Sequence, residues 1–170
     1  AGYYVGHKLL DASKMGVPQR RERVFFYAIR KDLYRGEFMD LFQSEPRLDL
    51  EFDEAPITFG EINTHDAGRR KITEAIGKSY DYCMKNKCAD FAQYYEKEEG
   101  KRKYFNTRLI FNDRVCDTIK GDCTHVIEGT EGWINDEELK LCGTYPLDYD
   151  FQGNKPSYLI GMSVPPVMTA

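Results

Sequence analysis

The chain has 170 residues, 41% hydrophobic and 14% aromatic, with 24 Lys and Arg against 28 Asp and Glu, for a net charge of −4. That is enough apolar material for one domain or two small lobes, and its weakly acidic balance argues against a non-specific nucleic-acid coat while leaving room for a local basic face. No run reaches the roughly 18 apolar residues of a membrane span, no signal peptide is present, and five cysteines without a dense framework fit a reducing cytoplasm.

Residues 3–12 read as a strand through Tyr3, Tyr4, Val5, Leu9 and Leu10. Gly16 and Pro18 then punctuate a tight loop. Gln19, Arg21 and Arg23 follow at a spacing of two, and residues 24–29 form an apolar run of strand length. The two strands suit an antiparallel pair at the edge of a larger sheet. An arginine fork donates two parallel hydrogen bonds, so this strand mouth suits phosphate oxygens or base edges. A strand entrance with solvated or carboxylate-paired arginines accounts for it equally well.

Residues 31–56, with Pro46, Pro56 and several acids, have the composition of a linker. Residues 57–63 suit a short helix. Ile72, Ala75, Ile76 and Tyr80 predict an amphipathic helix within 67–84, and Ala89, Ala92 and Tyr95 a second within 88–98. Lys101-Arg102-Lys103 with Tyr104, Phe105 and Arg108 interleaves cations and aromatics, which suits a nucleic-acid backbone with unstacked bases. A solvated loop with its rings turned inward explains it as well. Residues 109–111 and 115–119 read as short strands. Asn135 with Glu138 forms a capping box for a helix to about Cys142, stopped by Gly143 and Pro146. Pro156 opens a mixed apolar segment, and Pro165-Pro166 suits the first turn of a closing helix. The chain lacks an initiator methionine and closes on apolar residues without a cap, so a fragment of a longer protein is expected.

Cys83 with Cys88, and Cys116 with Cys123 and His125, do not have zinc-knuckle spacing, so buried thiols are expected and no metal. No glycine-rich phosphate loop is present. No cysteine follows a proline, and the chain holds no complete catalytic set.

Gly16-Val-Pro-Gln-Arg-Arg-Glu-Arg-Val-Phe25 resembles the Gln-x-Arg-x-Arg motif of the DNA cytosine C5-methyltransferase family. Gly161-Met-Ser-Val-Pro-Pro166 is similar to that family's final Gly-Asn-(Ser/Ala)-Val-Pro-Pro motif. Glu138-Leu-Lys-Leu-Cys-Gly-Thr-Tyr-Pro146 resembles the helix before it, and Thr118-Ile119 the Thr-(Leu/Ile) pair near the end of the variable target-recognition region. The four occur in family order, while residues 31–105 are largely unmatched.

The resemblance implies a two-lobed enzyme. One lobe binds S-adenosylmethionine and carries a cysteine nucleophile, the other reads double-stranded DNA, and the target cytosine is flipped out of the duplex. This chain, without the nucleophile motif, would be the C-terminal part. The implied class is α+β, with strands from the edge of a doubly wound catalytic sheet and a small mixed recognition lobe. Its implied divisions are 1–32, 33–130 and 131–170: end of the catalytic sheet, target-recognition region, and final motifs returning to the catalytic lobe. That missing N-terminal lobe would be a partner, and the fragment alone would be inactive. By position, Arg23 would bond the flipped cytosine near O2, Arg21 would position the catalytic strands, and Gln19 would lie near the displaced base. Thr118 would contact the DNA backbone, while Ser163 and Met162 would border the cofactor; Arg108, Lys101, Arg102 and Lys103 are DNA-contact candidates from their composition alone. Met162 stands where the family has asparagine, and Leu141 where it has arginine. A stand-alone nucleic-acid-binding module, or the regulatory half of a split enzyme, is the alternative.

Overall fold

The computed structural model describes residues 2–34, 48–104, 106–122 and 124–170. Strands β1 (Tyr3–Asp11) and β2 (Glu22–Arg30) form an antiparallel ribbon in which Leu10 faces Arg23 and Gly6 faces Tyr27. A 3-10 turn at Ala12–Lys14, capped by the Asp11 carboxylate, starts the connection between them. Pleating puts Val5, His7 and Leu9 on the same face as Val24, Phe26 and Ala28, and that face is solvent-exposed. The opposite face packs Leu10, with Ala12 and Val17 beyond the strand, against Met168, with Phe25 and Leu50 at the margin.

Most of the expected linker, residues 35–47, lies outside the described residues. Residues 48–56 carry no regular structure and run alongside the ribbon, held by Glu54 N–H donating to the Lys14 carbonyl and by a Lys8–Glu51 ion pair. The short helix expected at 57–63 is a single 3-10 turn, Phe59–Glu61. Its Glu61 carboxylate accepts from the Thr58 N–H and hydroxyl. One turn suffices because Phe59 is already anchored in the core.

Helix α1 (Glu74–Asn86) begins later than its periodicity predicts, because residues 70–72 pair with residues 131–133 instead. Helix α2 (Ala92–Glu99) is closed by Gly100 in the left-handed region at φ 67°. Strands β3 (Thr107–Ile110) and β4 (Thr124–Ile127) pair in parallel, and β5 (Gly132–Trp133) pairs antiparallel to β4. Residues 115–119 are not the strand expected. The place beside β3 is taken by β4, so this segment instead crosses the Gln19 loop, with one bridge from Cys116 to Gln19.

Both faces of β3 and β4 are covered, as parallel pairs require. Leu109 and Val126 face Tyr80, Cys83 and Phe91 on the helical side. Ile110 and Ile127 face Phe59, Ile119, Leu139, Phe151 and Ile160. The closing elements are α3 (Asp136–Cys142), with Asn135 and Glu138 as its capping box, and α4 (Pro156–Met162). After α4 the chain makes a 3-10 turn at Pro166–Thr169 rather than a closing helix. The result is a mixed α+β fold with a two-stranded ribbon and a three-stranded sheet.

Candidate functional site

Arg21 joins segments from three distant parts of the chain. Its side chain is buried, and Nη1 donates to the Ile119 carbonyl at 2.8 Å and to Gln19 Oε1 at 3.3 Å. Its Nη2 donates to the carbonyls of Gly161 and Ser163, both at 2.7 Å. Gln19, also buried, donates from Nε2 to the Cys142 carbonyl and accepts the Ile119 N–H at Oε1. All four motif segments of the sequence therefore meet at one hydrogen-bonded centre. Burial, and then the charge of Arg23, lower the Arg21 pKa to about 10, so it still carries its charge at neutral pH. Five carbonyl or amide oxygens around the Gln19–Arg21 pair replace the water it has lost.

Two further details fix this junction. A Cβ on Gly161 would lie 2.3 Å from Gly121 N and from Lys120 C, so only glycine lets α4 reach the backbone after Ile119. The Thr118 hydroxyl donates to the Arg20 carbonyl at 2.6 Å, tying that segment to the ribbon loop a second time.

Arg23 is different. It is half-buried, and its Nη1 donates to the Glu22 carbonyl at 2.7 Å, a bond within its own strand. Met162 is 70% exposed, and Ser163 donates its hydroxyl to the Ile160 carbonyl while its own carbonyl serves Arg21. Met162 presents an apolar surface, and the Ser163 hydroxyl, though it donates within the turn, can still accept a hydrogen bond.

The expected basic cluster is mostly neutralised. Arg102 pairs with Asp90 at 3.1 Å and lies 3.8 Å from Glu96, and Lys103 pairs with Glu99. Lys101 and Tyr104 are exposed, and Phe105 lies outside the described residues. Tyr104 stacks on Tyr95, 5.1 Å between centroids. Arg108, half-buried, sits 3.7 Å from Asp90. None of these side chains meets the Arg21 centre in the contacts observed.

The thiols at Cys83, Cys116 and Cys142 are buried and unoxidised. The hydrogen bond with the neighbouring Cys142 thiol and then burial push Cys116 up, and burial pushes Cys83 out of the nucleophile range. Among the described residues no three His, Cys, Asp or Glu side chains converge as a metal site, and no helix is long and apolar enough to cross a membrane.

One centre has no signal in the sequence. Arg69 forms a bidentate ion pair with Glu138 at 2.5 and 2.7 Å, both side chains being shielded from solvent. Glu138 also accepts the N–H groups of Thr64 and Asn135. Burial by itself would raise its carboxyl pKa, but the Arg69 bonds and the two backbone bonds bring it below the ordinary range. The capping-box pattern identifies Glu138 locally and carries no trace of an arginine that far upstream.

The fold and the motifs agree with what the chain is similar to. It resembles a prophage-encoded Escherichia coli protein described as a DNA modification methyltransferase, at 17% identity and TM-score 0.59, covering 98% of this chain and 58% of that one. It also resembles DNMT2 of Spodoptera frugiperda (14%, TM-score 0.56, 99% and 56% covered) and Dnmt2 methyltransferase of S. pombe (10%, TM-score 0.59, 99% and 55%). The chain thus spans less than three-fifths of the length of each. No curated protein matches it. The model of the C-5 cytosine-specific DNA methylase family matches residues 1–170, and the chain belongs to that family.

Proposed function

We propose that this chain is the target-recognition and closing portion of a DNA cytosine C5-methyltransferase, working with a separate lobe that holds the nucleophile and S-adenosylmethionine. The observation that carries the reading is the Arg21 centre. A single buried guanidinium, with Gln19, binds the recognition segment at Ile119 and the final motif at Gly161 and Ser163. Such a junction sets the recognition sheet at one fixed position relative to the ribbon.

Arg23 is then the residue that meets the base. It follows Arg21 at a spacing of two, on a strand whose entry is locked, and its backbone-bonded Nη1 orients the fork. A fixed guanidinium can donate to the O2 carbonyl of an extrahelical cytosine and stabilise charge that develops on the ring as it is attacked. S-adenosylmethionine, bound mainly by the other lobe, supplies the methyl group. The exposed apolar face of the ribbon, with Val5 67% and Phe26 77% exposed, is the surface for that lobe. Without it the chain is inactive.

Bisulfite sequencing of DNA from cells expressing the full-length protein should reveal methylated cytosines in one sequence context. Arg23→Ala should lower kcat by about 100-fold or more, the scale of one transition-state donor, and leave duplex affinity within a few-fold. An unmethylated genome, or lost affinity with normal turnover, would contradict the proposal. Tight, sequence-selective DNA binding by the isolated chain would favour the stand-alone module instead.

A further inference from the structure

Two cavities lie on either side of His125 in β4. One, of about 150 Å3, is lined by Asn106, Arg108, Thr118 and Lys120, with Asp117. The other, of about 310 Å3, is lined by Arg70, Trp133, Lys155 and Ser157, with Asp136. Four cations therefore face two carboxylates, a local positive excess on a chain whose net charge is −4.

The cations here are also the less neutralised ones. Among the described residues Arg70, Lys120 and Lys155 enter no ion pair. Arg108 has only Asp90, at 3.7 Å, a carboxylate that Arg102 holds more closely. Arg102 and Lys103, by contrast, are tied up by acids. The Arg70 guanidinium lies over the Trp133 ring, 5.2 Å from its centroid, which restricts its orientation.

His125 reports the field between the cavities. It is the register partner of Arg108 across β3 and β4. Burial, reinforced by the charges of Arg108 and Lys120, pushes its imidazole down to about 4, so it is neutral at pH 7. The cavities present two guanidinia, two ammonium groups and the Ser157 hydroxyl against the carboxylates of Asp117 and Asp136, while the Thr118 hydroxyl and one Asn106 N–H already donate elsewhere. A surplus of cationic donors suits phosphodiester oxygens, which are charged and only accept.

We propose that this face is a two-cavity phosphate track, with Arg108 and Lys120 holding one backbone phosphate of a DNA strand and Arg70 and Lys155 another. It rests on the methyltransferase reading above and extends the DNA contact from Thr118 across the sheet to the start of α4. The contact carries no sequence information; it sets the register and orientation of the duplex.

The test uses the full-length protein and two duplexes, one containing the methylated site found by bisulfite sequencing and one scrambled. Affinity is measured from about 50 to about 200 mM salt. The Arg70→Gln/Lys155→Gln double variant should flatten the slope of log Kd against log salt by about 0.9, the one phosphate this pair holds, equally on both duplexes. Asp136→Asn should tighten both duplexes. Both replaced cations are exposed, so the fold should survive, which an unchanged urea midpoint would verify. An unchanged slope in a methylating enzyme would overturn the track alone. A loss confined to the target duplex would make these residues base readers, and tighter binding of a hairpin RNA with the same loss would assign the track to RNA. A wild-type protein that neither methylates nor binds DNA would remove the underlying reading as well.

Discussion

Single atoms decide much of this molecule. A methyl group at position 161 would collide with backbone rather than with a flexible side chain. Gly161→Ala should therefore push α4 away from residues 120–121 and destabilise by about 1–3 kcal/mol, the usual cost of overpacking. A lowered urea midpoint, with methylation falling in parallel, is the expected result. His125 has the opposite character, being a buried group that must stay neutral. Its folded pKa is about 4, against 6.5 in the unfolded chain. The unfolded chain takes up a proton below about pH 6.5 and the folded one does not until about pH 4. This stabilisation is complete above pH 6.5 and falls progressively down to pH 4, by about 3 kcal/mol in all. His125→Asn should flatten that part of the stability curve. The lowered carboxyl of Glu138 acts at lower pH, which separates the two.

At the scale of elements, helix α3 is placed by charge as well as by its apolar face. Leu139 and Cys142 enter the core, and Glu138 carries Arg69 into the same buried layer. Removing one member strands the other charge, so Arg69→Met should cost about 3–5 kcal/mol. The Arg69→Met/Glu138→Met pair should be less damaging than the sum of its parts, since no unpaired charge is left. Chemical denaturation of the two singles and the double checks this; strict additivity would show that the pair is not coupled. Gly132 belongs to the same unit, because a Cβ there would meet Arg69 Cδ at 2.3 Å.

For the whole molecule, the two sheets differ in completeness. The three-stranded sheet is covered on both faces, by α1 and Phe91 on one side and α3 and α4 on the other. Among the described residues the ribbon is covered on one face only, and its other face exposes Val5, Leu9, Val24 and Phe26. An apolar stripe of this kind is a contact surface in waiting. It supports the proposal that activity requires a second lobe, and the Arg23→Ala measurement belongs at this level because it needs that lobe in place.

The ribbon strands, α2, the α3 capping box and the motif residues were all legible in the sequence, because each rests on short-range pattern. Alternation, helical spacing and a polar cap act within a few residues. At Arg21 the structure shows a side chain that is neither solvated nor paired with a carboxylate but bonded to the carbonyls of Ile119, Gly161 and Ser163, which lie far along the chain. Strands β4 and β5 were missed because pairing, not local pattern, makes strands so short. Residues 115–119 misled because an apolar, β-branched run looks the same whether it joins a sheet or crosses a loop. For the basic triplet, sequence counts charges and only packing shows that Arg102 and Lys103 have carboxylate neighbours.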